Sequence, residues 1–177
     1  MTFLAKEYAC LSVESLIASY LRLADESLKA SHLLLRDGNR NAVYNAQQAV
    51  EMIVLALAQS EAVHYGRTKQ HQLDTMIRDL PTENVFRSTL SDLSWLEAYA
   101  TTFRYPRTKG GINDAPPNDK LMDALTKTAV LLKQVADHFG VVDLTIAAKS
   151  PARRSQPPRK NENDGGDGSG GSISGGP

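Results

Sequence analysis

Residues 41–59, NAVYNAQQAVEMIVLALAQ, decide the fold. Ala42, Val43, Ala46, Ala49, Val50, Ile53, Val54, Ala56 and Leu57 return at spacings of three and four, which lays a wide apolar band along a helix. Neither Gly nor Pro interrupts the run, and nearly every other residue in it is a good helix former. A helix this apolar must be covered on most sides, so the other segments are expected to pack around it. Gln47, Gln48 and Glu51 break the apolar pattern in its first half. With Tyr44, Gln48 and Glu51 form a polar stripe along successive turns.

The flanking segments also read as helices. Upstream, Ser12 is placed to cap a helix whose apolar line runs Leu16, Tyr20, Leu23, Ser27, Ala30, Leu34. Asp37-Gly38-Asn39 stops it, and the central helix follows at once, which implies an antiparallel hairpin. Downstream, residues 60–70 contain Gly66 and lose their periodicity. Leu73, Met76, Ile77 and Leu80 then outline a short helix ended by Pro81. Thr82 is expected to start a further helix, with Val85, Phe86, Leu90, Leu93, Leu96, Tyr99 and Phe103 on its inner side. It must finish before Pro106, which disfavours helical geometry at Tyr105. A polar loop leads to a last helix over residues 119–139, with the seam Leu121, Leu125, Thr128, Leu132, Val135, Phe139, ended by Gly140. Val141 to Ile146 is a strand candidate without a partner. The expectation is an all-α, up-and-down bundle of four main helices plus a short one.

Composition sets the remaining limits. Lys plus Arg and Asp plus Glu are equal at 20 each, so global charge points neither to nucleic acid nor to a membrane surface. The single Cys10 excludes an intramolecular disulfide and fits a reducing compartment, as a small half-buried apolar residue. A signal-peptide pattern and an apolar run of membrane-spanning length are both missing, so a cytoplasmic protein is expected. From Lys149 onward lie seven of the twelve glycines and one large aliphatic residue, Ile173. Such a segment cannot offset its ordering entropy by burial, and residues 149–177 are expected to be a disordered tail after a helical body over 1–148. Its first half carries Lys149, Arg153, Arg154, Arg159 and Lys160, which could grip RNA or an acidic partner or simply keep the tail solvated.

Taken in order, the break at Gly38-Asn39, Gln47-Gln48-Ala49-Val50-Glu51, His71-Gln72-Leu73, Arg104-Tyr105-Pro106 and the closing helix resemble the HEPN family, named for higher eukaryotes and prokaryotes nucleotide-binding. The resemblance covers roughly residues 16–139. It departs from the family's wording at Met52-Ile53-Val54, where a Lys-rich continuation is usual, and at Gln72, where an acidic residue is usual. The resemblance implies a cytoplasmic, often homodimeric helical bundle linked to nucleotide or RNA chemistry, frequently beside a minimal nucleotidyltransferase partner. RNase members of the family carry an Arg, then about four to six intervening residues, then a His, so that one side chain holds a phosphate while the other moves protons. That pattern is missing here. Arg67 precedes His71 by too little, and Arg104 meets no His until His138. A non-catalytic binding module is therefore expected, with a rearranged metal-independent RNase toxin using His71 and Arg104 or Arg67 as the alternative.

Tyr44, Gln48, Glu51, His71, Arg104 and Tyr105 are the candidate site residues. Glu51, His71 and Arg104 are expected to converge near one end of the central helix. His71 could serve as an acid, a base or a phosphate ligand, or could cap the short helix that it opens. Arg104 could clamp a phosphate through its planar fork, or pair with Glu51. Gln48 and Glu51 could line a polar pocket or satisfy each other in a dimer interface. Trp95 reads as core rather than as a stacking platform. His32, His64 and His138 lack the spacing of a metal site, and no metal or cofactor is expected.

Overall fold

The computed structural model describes residues 3–66, 71–100, 103, 105–108 and 110–144, with side chains from residue 13 onward, all within the compact unit Met1–Ile146. Arg67, Arg104, the side chain of Cys10 and the tail over 149–177 lie outside the described residues.

The chain is all-α. Helix α1 spans Phe3–Arg36, α2 Ala42–Ser60, α3 Leu73–Asp79, α4 Arg87–Leu93 and α5 Asn118–His138, and a 3-10 segment over Ser94–Tyr99 continues α4. Among the described residues there is no strand, residues 141–144 included. No helix among them is long and apolar enough to cross a membrane.

The central helix behaves as its sequence dictates. α2 packs against α1, α3, α4, the 3-10 segment and α5. Every member of its apolar band is at most 1 % exposed. Burying a Leu or Ile side chain contributes about 1.5–3 kcal/mol, so Ile53 and Leu57 alone supply a large part of a typical net stability.

α1 differs from expectation in two ways. It begins upstream of Ser12, and its buried line is Ile17, Leu21, Ala24, Leu28 and Ser31. Each lies one residue beyond the expected line, a rotation of about 100°. The physical reason is visible in the hydroxyl groups. The expected line would bury Tyr20 and Ser27, whereas the observed one buries only Ser31, whose hydroxyl donates to the Ala42 carbonyl at 2.7 Å. Leu16 and Leu23 are left 38 % and 48 % exposed.

α1 ends in a Schellman turn. The Gly38 N–H donates to Leu35 O at 3.0 Å and the Asn39 N–H to Leu34 O at 2.8 Å, with Gly38 at φ +68°. α5 closes the same way through Gly140 at φ +65°, with Val141 N–H on Ala136 O at 2.9 Å.

The expected long helix from Thr82 is broken. Asn84 Oδ1 accepts the Phe86 N–H at 3.0 Å, and Asn84 Nδ2 donates to Glu61 Oε1 at 3.1 Å. An Asn side chain that captures nearby backbone donors offers the chain an alternative to helix, and here it wins. Val85 therefore points out, 77 % exposed, and helix resumes only at Arg87. Leu90, Leu93, Leu96 and Phe103 are buried as their spacing requires. Trp95 is half-buried rather than core, edge-on to Tyr99 at 5.9 Å, with the Lys120 ammonium 4.1 Å above its ring.

Candidate functional site

A buried carboxylate is the most demanding group in this bundle. Glu51 lies mid-α2 and is 2 % exposed, where an uncompensated charge is very costly. Three donors answer it. Gln47, one turn earlier and 0 % exposed, donates through Nε2 to Oε2 at 2.7 Å. Gln48 Nε2 approaches the same oxygen at 3.4 Å and donates to Gln47 Oε1 at 2.6 Å. His71 Nδ1 stands 2.9 Å from Oε1 and 3.1 Å from Oε2. Gln48 and Glu51 thus find their partners within one chain.

His71 reaches Glu51 from the loop before α3, at φ +75°. That left-handed conformation is uncommon for a residue with a side chain, and where it persists the surroundings hold it. His71 does not cap α3. The capping position is Gln72, and the imidazole is engaged with Glu51 instead. Its side chain is 56 % exposed while that of Glu51 is 3 % exposed. The pair therefore has a dry end and a wet end.

The orientation decides the chemistry. With Nδ1–H directed at the carboxylate, Nε2 becomes the nitrogen on the open side. In the neutral ring Nε2 accepts a hydrogen bond, and in the imidazolium it donates one to an anion. A carboxylate that fixes the tautomer and ring of an exposed histidine is the arrangement used for proton transfer and for anion capture.

Of the nominated residues, Gln48, Glu51 and His71 come together in one hydrogen-bonded group. Tyr44 is half-buried on α2, one turn before Gln48, and Tyr105 is 64 % exposed. Arg104 and Arg67 fall outside the described residues, so their expected convergence with Glu51 concerns residues that are not described.

Two participants were missed. Gln47 sits four residues before Glu51, a spacing that already placed the two on one face. Arg40 carried no such signal. Its Nη2 donates to Phe103 O at 3.2 Å and to Asn113 O at 2.8 Å, so that it closes both ends of the loop bearing Tyr105 and Pro106. Those partners lie 63 and 73 residues away in the chain.

No curated protein and no solved structure matches the chain. A family model described as the HEPN domain matches residues 17–134, a span that runs from the buried face of α1 to near the end of α5 and contains both Glu51 and His71. The chain belongs to the HEPN domain family.

Proposed function

We propose that this chain is a HEPN-type module that dimerises through the outer faces of α1 and α2 and binds a phosphate-bearing ligand, nucleotide or RNA, beside a nucleotidyltransferase partner. The observation that carries the ligand reading is the Glu51–His71 pair, in which a buried carboxylate orients an exposed imidazole held at φ +75°. An imidazolium so placed donates from Nε2 to a phosphate oxygen. Arg104 and Tyr105, from the Arg-Tyr-Pro motif, are the proposed additional ligand contacts.

The dimer reading rests on the rotation of α1. The line that the sequence nominated for the core, Leu16-Tyr20-Leu23, is only partly covered, and Met52 and Leu55 of the adjoining α2 are likewise half-buried. A two-helix apolar face of this kind suits a self-complementary contact with a second copy.

A second reading, a metal-independent RNase, gains from the same pair, because an outward Nε2 fixed by a carboxylate is equipped to take a proton from a ribose hydroxyl. The two are separated with purified parent, His71→Asn and Glu51→Gln proteins. Binding of a fluorescent adenine nucleotide and of a labelled single-stranded RNA is measured by anisotropy, and the RNA is then run on a denaturing gel. Binding module behaviour is intact RNA, with affinity lowered at least tenfold by His71→Asn at unchanged helical content. Cleavage that His71→Asn abolishes establishes the RNase. A parent that neither binds nor cleaves removes both.

A further inference from the structure

α3 is only seven residues long and begins two positions after His71, so whatever fixes its first turn fixes the histidine. Its capping residue, Gln72, makes no side-chain cap bond. The missing acceptor arrives from another element. Glu97, in the 3-10 segment Ser94–Tyr99, places Oε2 2.7 Å from the Asp74 N–H, one of the first-turn donors that a helix leaves without an internal partner. A carboxylate there also meets the positive end of the helix dipole. A seven-residue helix is too short to hold itself, so its register depends on such outside contacts. The second is Tyr65, whose hydroxyl donates to Met76 O at 2.7 Å further along α3.

We propose that Glu97 is a positioning residue for the Glu51–His71 site. By capping α3 in trans, it holds the left-handed bend at His71 that brings Nδ1 onto the Glu51 carboxylate. The proposal rests on the reading of Glu51–His71 as the functional site. It assigns to Glu97 no contact with the ligand.

The test reads the imidazole itself and requires no ligand. Side-chain 15N NMR of His71 is recorded at fixed pH for the parent, Glu97→Ala, Glu97→Gln and Tyr65→Phe, with Asp74 amide exchange measured in parallel. The signals of α1 and α5 report that the bundle is intact. In the parent, Nδ1 is the protonated nitrogen. In Glu97→Ala the two ring nitrogens move toward the averaged signals of a free imidazole, and the Asp74 amide exchanges at least tenfold faster. Glu97→Gln, which keeps an acceptor oxygen, restores both. His71 signals in Glu97→Ala that match the parent overturn the proposal. So does a Tyr65→Phe protein that moves His71 as far as Glu97→Ala does, since the effect then belongs to α3 in general. A parent that binds no nucleotide or RNA defeats the function proposed above and leaves this test unaffected.

Discussion

The guanidinium of Arg40 lies 4.2 Å from the centroid of the Phe103 ring and also donates to the Phe103 and Asn113 carbonyls, fastening the α1–α2 turn to both ends of the loop over 103–113. Inside that loop the Arg107 N–H donates to Gly111 O, and Arg107 Nε donates to Asn113 Oδ1. Arg107 thus bonds within the loop, while Arg40 reaches both of its ends from elsewhere in the chain. Arg40→Ala removes two hydrogen bonds from a charged donor and one cation–π contact, at an expected cost of about 2 kcal/mol. Arg40→Lys recovers only part of this, because a compact ammonium cannot span both carbonyls while stacking on the ring. Denaturant unfolding gives the cost, and amide exchange of Gly110 and Arg107 shows whether the loss is local. A loop whose exchange is unchanged in Arg40→Ala refutes the anchoring role.

A second expectation concerns how α2 ends. It uses the same turn as α1 and α5, with Val63 N–H on Ala58 O at 2.8 Å, but the left-handed position is Ala62 at φ +53° rather than a glycine. A Cβ in that conformation costs roughly 1 kcal/mol. Ala62→Gly is expected to stabilise the protein by about 0.5 kcal/mol, since the gain is offset in part by the freer unfolded chain. Gly38→Ala should do the reverse, by about 1 kcal/mol, through backbone strain alone. A Cβ built on Gly38 meets no atom within 4 Å, so no clash contributes. Paired thermal melts of the two variants check the sign of each effect.

Some parts of the structure are legible in the residues and others are not. The burial of α2 was legible because a single band of small and branched residues leaves no second way to orient the helix. α1 offered two adjacent apolar lines, and nothing in its own residues said that Ser31 would find the Ala42 carbonyl. The break at Asn84 depended on a side chain competing with the backbone, which a periodicity of apolar residues does not register. At the site, Gln48, Glu51 and His71 could be nominated from the resemblance and from the polar stripe. The cap from Glu97 and the anchor from Arg40 could not, because both join segments that only tertiary folding brings together.

The environment of Tyr65 makes a pH prediction. Burial, with Asp79 nearby adding repulsion, pushes its hydroxyl from 10 up to about 12. The folded state therefore keeps the proton over a range in which the unfolded chain has lost it. The contribution is fully present below about pH 10 and is lost as pH rises toward 12. Tyr65→Phe loses the hydrogen bond to Met76 O and should be about 1 kcal/mol less stable at pH 8. Its stability should fall less steeply than the parent's between pH 10 and 12, so the gap between the two narrows. Parallel alkaline slopes would mean that Tyr65 ionises as freely in the fold as outside it.

The last prediction addresses assembly. Leu23 is 48 % exposed in the middle of the outer α1 face, and Val130 is 54 % exposed on α5. If two copies meet through α1 and α2, a two-fold axis brings each Leu23 into the shared interface, and Leu23→Glu places two like charges in an apolar setting. That substitution costs little in the separate chain, where residue 23 already meets water, so its effect should fall on association rather than folding. Light scattering at micromolar concentration is expected to give twice the chain mass for the parent and for Val130→Glu, and the single-chain mass for Leu23→Glu. Helical content should be the same in all three. A parent that stays monomeric across dilutions rejects the dimer. Dissociation by Val130→Glu with Leu23→Glu still paired moves the interface to α5, and the exposed α1 line then has another use.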